Sequence, residues 1–168
     1  ADLGRTFPVV VGGVERTLDA TFASVNPGRL SQTIGHFSDA GVDVAEAALQ
    51  AAWDAFPAWS ATPAIERAGV LMRAAALMRK RRHEFSAAMV LEVGKSWAEA
   101  DGDTAEAIDF IDFYAREAVR WAEPQGTTHY PGETNEVQYL PLGAGVAIPP
   151  WNFPVAIAAG MSTAPIAA

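Results

Sequence analysis

The sequence predicts an α/β chain, and three observations carry that prediction. Apolar residues recur at helical spacing through most of residues 42–121. Short β-branched runs bounded by Gly, Pro and Asn lie on either side of that helical block. After the second of them, residues 143–168 run glycine-rich strand, proline-framed turn and apolar helix, the order that opens an α/β sheet unit.

Residues 7–18 predict a hairpin, with Val9, Val10 and Val11 on one arm, Gly12-Gly13 as the turn, and Val14 to Leu18 returning. Asn26-Pro27-Gly28 is a second turn, and a polar connection through Ile34 and His36 leads to the helices. The first helix is expected over 42–56. Ala45, Ala48, Leu49, Ala52, Trp53 and Phe56 form its apolar stripe, Asp43 caps its start and Pro57 breaks it. Pro63 suits the first turn of a second helix over 63–82, whose last turn carries Arg79, Lys80, Arg81 and Arg82 against the helix dipole. A third helix over 84–93 ends at Gly94, and a fourth over 97–121 is acidic early and stopped by Pro124. Trp53, Trp59, Trp97 and Trp121 fall on helices or at their ends and are expected to pack there. Residues 126–142 are hairpin-like, with arms over 127–130 and 136–140 around Pro131-Gly132-Glu133-Thr134. A short buried strand is expected over 143–148, and an apolar helix over 155–168.

Composition narrows the function. The 168 residues are 50% hydrophobic and 19% charged, enough for one domain with a core. A net charge of -8 disfavours nucleic acid and anionic membrane surfaces as partners. The absence of cysteine excludes disulfides, thiolate metal sites and a cysteine nucleophile within these residues. Ala1-Asp2-Leu3-Gly4-Arg5 shows no secretory signal, and the longest apolar run, 155–168, falls short of the about 20 residues a membrane span needs. A cytoplasmic location follows as the expectation. That run ends without a charged last turn or a capping glycine, which points to a truncated chain.

Several candidate sites fail on pattern. His36, His83 and His129 lack ligand spacing, so no metal is expected. Glu99, Asp101, Asp103 and Glu106 do not follow the calcium-loop pattern and read as a charged helix start. Gly143-x-Gly145 opens like a dinucleotide fingerprint but has Ile148 where the third glycine belongs.

The segment Ile148-Pro149-Pro150-Trp151-Asn152-Phe153-Pro154 stands apart. Three prolines fix φ and restrict their predecessors, so the loop is stiff. Asn152 at its centre has two N–H donors and no titrating charge. Locally it has two uses. It could cap the helix that follows, the commoner role of Asn, or it could hold a donor against a developing oxyanion.

This segment resembles the Pro-Trp-Asn-Phe-Pro motif of the aldehyde dehydrogenase superfamily. Weaker likenesses in the same order support it: Asn26-Pro27, the run Trp53-Asp54-Ala55-Phe56-Pro57-Ala58-Trp59, and Glu92-Val93-Gly94-Lys95. Within that superfamily, Glu92 to Ala100, Ala105-Glu106-Ala107-Ile108-Asp109-Phe110 and the doubled Pro149-Pro150 resemble the 1-pyrroline-5-carboxylate dehydrogenase group.

The resemblance implies the N-terminal part of the aldehyde dehydrogenase fold. Residues 1–125 would be the helical part of the cofactor-binding domain, 126–142 the oligomerisation hairpin of a homo-oligomer, and 143–168 the first strand, loop and helix of a Rossmann-like parallel sheet. It implies NAD or NADP as cofactor and an aldehyde, glutamate 5-semialdehyde, as substrate. By the same resemblance Asn152 donates to the oxyanion, Ile148, Pro149, Pro150, Trp151 and Asn152 line the cofactor pocket, and Phe153 walls the aldehyde pocket. Glu106 would face the substrate's α-ammonium, against the plainer reading of a solvated helix acid beside Glu99, Asp103, Asp109 and Asp112. The catalytic cysteine and glutamate would lie beyond Ala168, leaving these residues alone inactive. The rival reading is a self-standing helical and hairpin module for protein association.

Overall fold

The computed structural model describes residues 3–168, so Ala1 and Asp2 of the N-terminal stretch read for a secretory signal lie outside the described residues. Seven short strands and five helices follow in the order β1 (Arg5–Phe7), β2 (Val9–Val11), β3 (Val14–Arg16), β4 (Thr21–Asn26), β5 (Arg29–Ser38), α1 (Val42–Ser60), α2 (Ala64–Lys80), α3 (Arg82–Glu92), α4 (Trp97–Ala122), β6 (Gln125–Gly126), β7 (Glu136–Val137) and α5 (Ala156–Ala167).

β2 and β3 form the expected hairpin, with Val11 opposite Val14. Gly12 and Gly13 take φ +58° and +79°, the left-handed pair that a two-residue hairpin turn matching the strand twist demands. The connection expected through Ile34 and His36 is instead the ten-residue strand β5, the centre of a three-stranded sheet. Its sequence has little alternation, but β1 pairs with it in parallel and β4 antiparallel, so its backbone groups are satisfied from both sides. Phe37 stacks between Phe7 and Phe22, with ring centroids 5.0 and 5.7 Å away.

α1 runs through Pro57 to Ser60 rather than stopping at Phe56. Near a helix end the missing N–H of proline costs one bond in a turn that is already losing them, so the helix survives. Asp43 does not cap it. Gly41 is the N-cap and makes no side-chain cap bond. None of the residues of α1 is buried and Trp53 is 46% exposed, so that stripe is not core, although the Trp53 ring meets Phe56 edge-on with centroids 5.9 Å apart and lies against Gly143. Trp97 is also half exposed, whereas Trp59 and Trp121 are partly covered. The basic run is split: α2 ends at Lys80, Arg81 leaves helical geometry, and Arg82 starts α3.

The core lies where α2, α4 and α5 meet. Ala68, Leu71 and Ala75 from α2 pack on Ile108, Ile111 and Ala115 from α4 and on Ala167 from α5. Small residues allow the helices close. A Cβ on Gly160 of α5 would sit 3.1 Å from the Phe110 ring of α4. α3 joins through a buried hydrogen bond between the hydroxyls of Ser86 and Thr104, 3.0 Å apart.

The strand expected over 143–148 is absent: those residues form no regular element, Gly143 takes φ +104°, and Val146 is 77% and Ile148 80% exposed. A strand requires a ladder, and no strand among the described residues runs beside this segment. β6 and β7 are two residues each: the first arm pairs at Gln125–Gly126, before the expected 127–130, the second keeps only Glu136–Val137 of 136–140, and Thr127 Oγ1 donates to the Asn135 carbonyl at 2.8 Å between them. Among the described residues no helix is long and apolar enough to cross a membrane, and no group of three or more His, Asp or Glu could hold a metal.

Candidate functional site

The proline-framed loop hangs between the irregular 143–148 segment and α5. Its last carbonyl before the helix, that of Phe153, accepts from the Ile157 N–H at 3.2 Å and so starts the first turn. Val155 is the N-cap of α5 and gives no side-chain cap bond. Asn152 is therefore not the cap, and the commoner local use of that residue is excluded. Its carboxamide is exposed and makes no hydrogen bond among the described residues. Ile148 and Trp151 on the same loop are 80% and 81% exposed.

The orphan donor at the start of α5 is satisfied from a distance. Asp103 of α4 accepts the Ala156 N–H through Oδ1 at 2.7 Å, while its Oδ2 accepts from Lys95 Nζ at 2.5 Å. The Asp103 side chain is fully buried and that of Lys95 is 12% exposed. Lys95 Nζ also lies 4.3 Å from the centroid of the Phe153 ring. One buried ion pair thus touches both the last aromatic residue of the loop and the first helical residue after it.

Local sequence puts this pair in place. Gly94 takes φ +75°, ending α3 and turning the chain toward α4. Ser96 and Glu99 then form a reciprocal capping box that starts α4, fixing Lys95 directly before the helix. Asp103 lies on the buried stripe Ala100, Thr104, Ala107, Ile108 and Ile111. The expectation of a charged, solvated helix start therefore fails at Asp103. The signal was present: the helical period that places Ala100 and Ala107 in the core places Asp103 there too. Glu106, one turn further along that side of α4, is exposed and has no ion-pair partner among the described residues.

Two other acids of the α4 start are held ionised. A hydrogen bond from the Ser96 hydroxyl, reinforced by the Ser96 backbone N–H, lowers the Glu99 pKa. Asp101 is lowered chiefly by its hydrogen bonds from Arg82, 2.6 and 2.5 Å long, and the Arg82 pKa is raised in return. A depressed carboxylate pKa contributes stability in full above its unfolded value of about 4, and that contribution is lost as pH falls through the folded value. Asp101→Asn is accordingly expected to lower the melting temperature at neutral pH and to flatten its fall between about pH 5 and pH 3. Thermal unfolding at the two pH values checks this, and parallel curves for the two proteins refute it.

A cavity of about 870 Å³ lies elsewhere, between the end of α1, the C-terminal half of α4, residues 139–143 and the end of α5. Trp59, Arg67, Tyr114, Trp121 and Leu142 line it, and none of residues 148–153 does. Arg67 closes one side, donating to the carbonyls of Thr62, Ala167 and Ala168.

A helical core with small residues at its contacts, a hairpin with two-residue arms and a proline-framed loop that presents a carboxamide at a helix start are the features to be matched. The sequence pattern of the Aldehyde dehydrogenase family matches residues 14–168, and the chain belongs to that family. It is 48% identical over 164 residues to the 1-pyrroline-5-carboxylate dehydrogenase of Geobacillus sp. (strain WCH70), a match covering 98% of this chain and 32% of that relative. A Thermus 1-pyrroline-5-carboxylate dehydrogenase with bound NAD superposes with a TM-score of 0.93 at 50% identity, over 99% of this chain and 32% of that one. The Delta-pyrroline-5-carboxylate dehydrogenase of Mycobacterium tuberculosis gives 0.77 at 36% identity, over 84% of this chain and 27% of its own. The chain thus spans about a third of the length of the relatives it matches.

Proposed function

We propose that these residues are the N-terminal portion of an NAD(P)-dependent aldehyde dehydrogenase that oxidises L-glutamate 5-semialdehyde to L-glutamate in proline breakdown in the cytoplasm. The observation that carries this reading is the unpartnered Asn152 carboxamide on a loop stiffened by three prolines, joined directly to a helix of the core.

Asn152 donates an N–H to the oxygen of the aldehyde as negative charge develops there. Ile148, Pro149, Pro150 and Trp151 form one wall of the cofactor pocket. They fit that task because Ile148 and Trp151 expose flat or branched apolar surface, and the neighbouring backbone is not committed to a ladder. The nicotinamide supplies the hydride acceptor. Phe153 walls the aldehyde pocket, and Glu106 pairs with the substrate's α-ammonium. The nucleophile and the base are supplied by residues other than these, since the sequence has no cysteine. Residues 126–142 are the surface on which a second copy of the chain pairs, with Tyr130, Val137, Tyr139 and Leu140 exposed there.

The experiment compares aldehydes. The 168-residue chain alone is expected to reduce no NAD with any of them, and turnover by it would refute the division of labour just given. A full-length enzyme carrying these residues is expected to prefer glutamate semialdehyde over an unsubstituted aliphatic aldehyde of similar length. Equal kcat/KM for the two would overturn the substrate assignment. In that enzyme Glu106→Gln is expected to raise KM for glutamate semialdehyde about tenfold, roughly 1.4 kcal/mol, with KM for the aliphatic aldehyde unmoved. A parallel rise for both aldehydes would remove Glu106 from the ammonium site.

A further inference from the structure

We infer that Asp103 is a positioning residue for the Asn152 loop, acting from α4 by clamping the first N–H of α5 while Lys95 holds its second oxygen. The inference rests on the reading of Asn152 as the oxyanion donor.

Among the described residues Asp103 is the side chain that accepts the Ala156 N–H. The loop has no ladder to fix it and α5 has no side-chain cap of its own. Prolines stiffen 148–154 internally, but stiffness does not determine where a rigid piece points. Its aim is set where it joins the core, and that junction is the bond from Ala156 N–H to Asp103 Oδ1. A buried carboxylate with both oxygens engaged has no second orientation available. Lys95 holds the second oxygen of Asp103 and its Nζ lies 4.3 Å from the centroid of the Phe153 ring, so its part is to balance the buried charge. Only three residues separate Asn152 from Ala156, and Pro154 fixes φ at one of them, so a shift of the junction reaches Asn152 across a short, stiffened segment.

The test is a double-mutant cycle in a full-length enzyme carrying these residues. D103N/K95M removes the buried charges but keeps an oxygen for the Ala156 N–H, and kcat is expected to stay within about threefold of the parent. D103L/K95M removes the acceptor, and kcat is expected to fall at least about tenfold with KM moving less than about threefold. In an N152A background the same D103L/K95M change is expected to cost less than about threefold, because the donor that it misaims is already gone. An additive loss would overturn the positioning role while leaving Asn152 as the donor. An unchanged kcat for N152A alone would overturn both. Should D103L/K95M not fold, D103A/K95M is read by the same cycle. The unmodified 168-residue chain gives a further check: amide exchange at Ala156 is expected to be at least about tenfold slower than at Ala158, and equal rates would show that the clamp is not there.

Discussion

Replacing Asn152 with alanine in a full-length enzyme carrying these residues is expected to lower kcat by about 10²- to 10³-fold, some 3–4 kcal/mol of transition-state stabilisation, with little change in KM. The size follows from the donor's setting. A neutral carboxamide keeps its N–H groups at every working pH, and the proline frame spares it the reorganisation that a mobile donor would need at the moment of reaction. A ground-state carbonyl accepts such a bond weakly and an alkoxide strongly, so the loss falls on kcat. Asn152→Asp separates this from a steric effect, since it preserves shape but sets a carboxylate against the developing charge. It is expected to lose at least as much as alanine. Stability gives the complementary control. A lost helix cap would cost ~1 kcal/mol of folding free energy. Val155 is the N-cap here and Asn152 makes no hydrogen bond, so the alanine variant should melt with the parent. An unchanged kcat, or a kcat loss matched by a loss of folded protein, would remove Asn152 from the reaction.

The chain shows which parts of such a site a sequence can reveal. Local rules located the elements that depend on local energetics: Gly12-Gly13 closed a hairpin, Pro63 preceded α2, Gly94 ended α3 and Pro124 followed α4. They failed where partners distant in sequence decide. β5 is a strand because β1 and β4 flank it, and 143–148 is no strand because no strand among the described residues runs beside it. The loop that carries Asn152 was legible from its prolines, but its support was not. Asp103 looked like one acid among several on a polar helix start, although its phase relative to Ala100 and Ala107 placed it in the core. Charge suggested solvent and periodicity suggested burial. Burial won because Lys95 and the Ala156 N–H satisfy both oxygens, and neither partner is visible from the residues around Asp103 alone. The resemblance supplied roles for Ile148, Phe153 and Glu106, while the anchoring of the loop came from the three-dimensional arrangement.

Lys95→Met is expected to be the most damaging single change to folding of this chain, costing about 3–5 kcal/mol. Among the described residues the Lys95 ammonium, 2.5 Å away, is the countercharge of the fully buried Asp103 carboxylate, and without it Asp103 retains one amide hydrogen against a full negative charge. The pair taken whole need not stabilise the fold, since desolvating two ions offsets most of their attraction. Breaking it on one side is different, because the remaining charge keeps its desolvation cost and loses its partner. Adding Asp103→Asn should therefore restore most of the loss: the amide still offers an oxygen to the Ala156 N–H and carries no charge. In a chain of this length the single change should lower the melting temperature on the order of 10 °C, with the double variant much closer to the parent. The loss should begin at α5, whose first turn is tied to α4 through Asp103, so amide exchange across Ala156–Ala167 should rise before that of α2. Urea unfolding of the parent, K95M and D103N/K95M decides the matter. A single variant within about 1 kcal/mol of the parent, or a double variant no better than the single, would mean that solvent screens the pair and that Asp103 does not sit in the dry core.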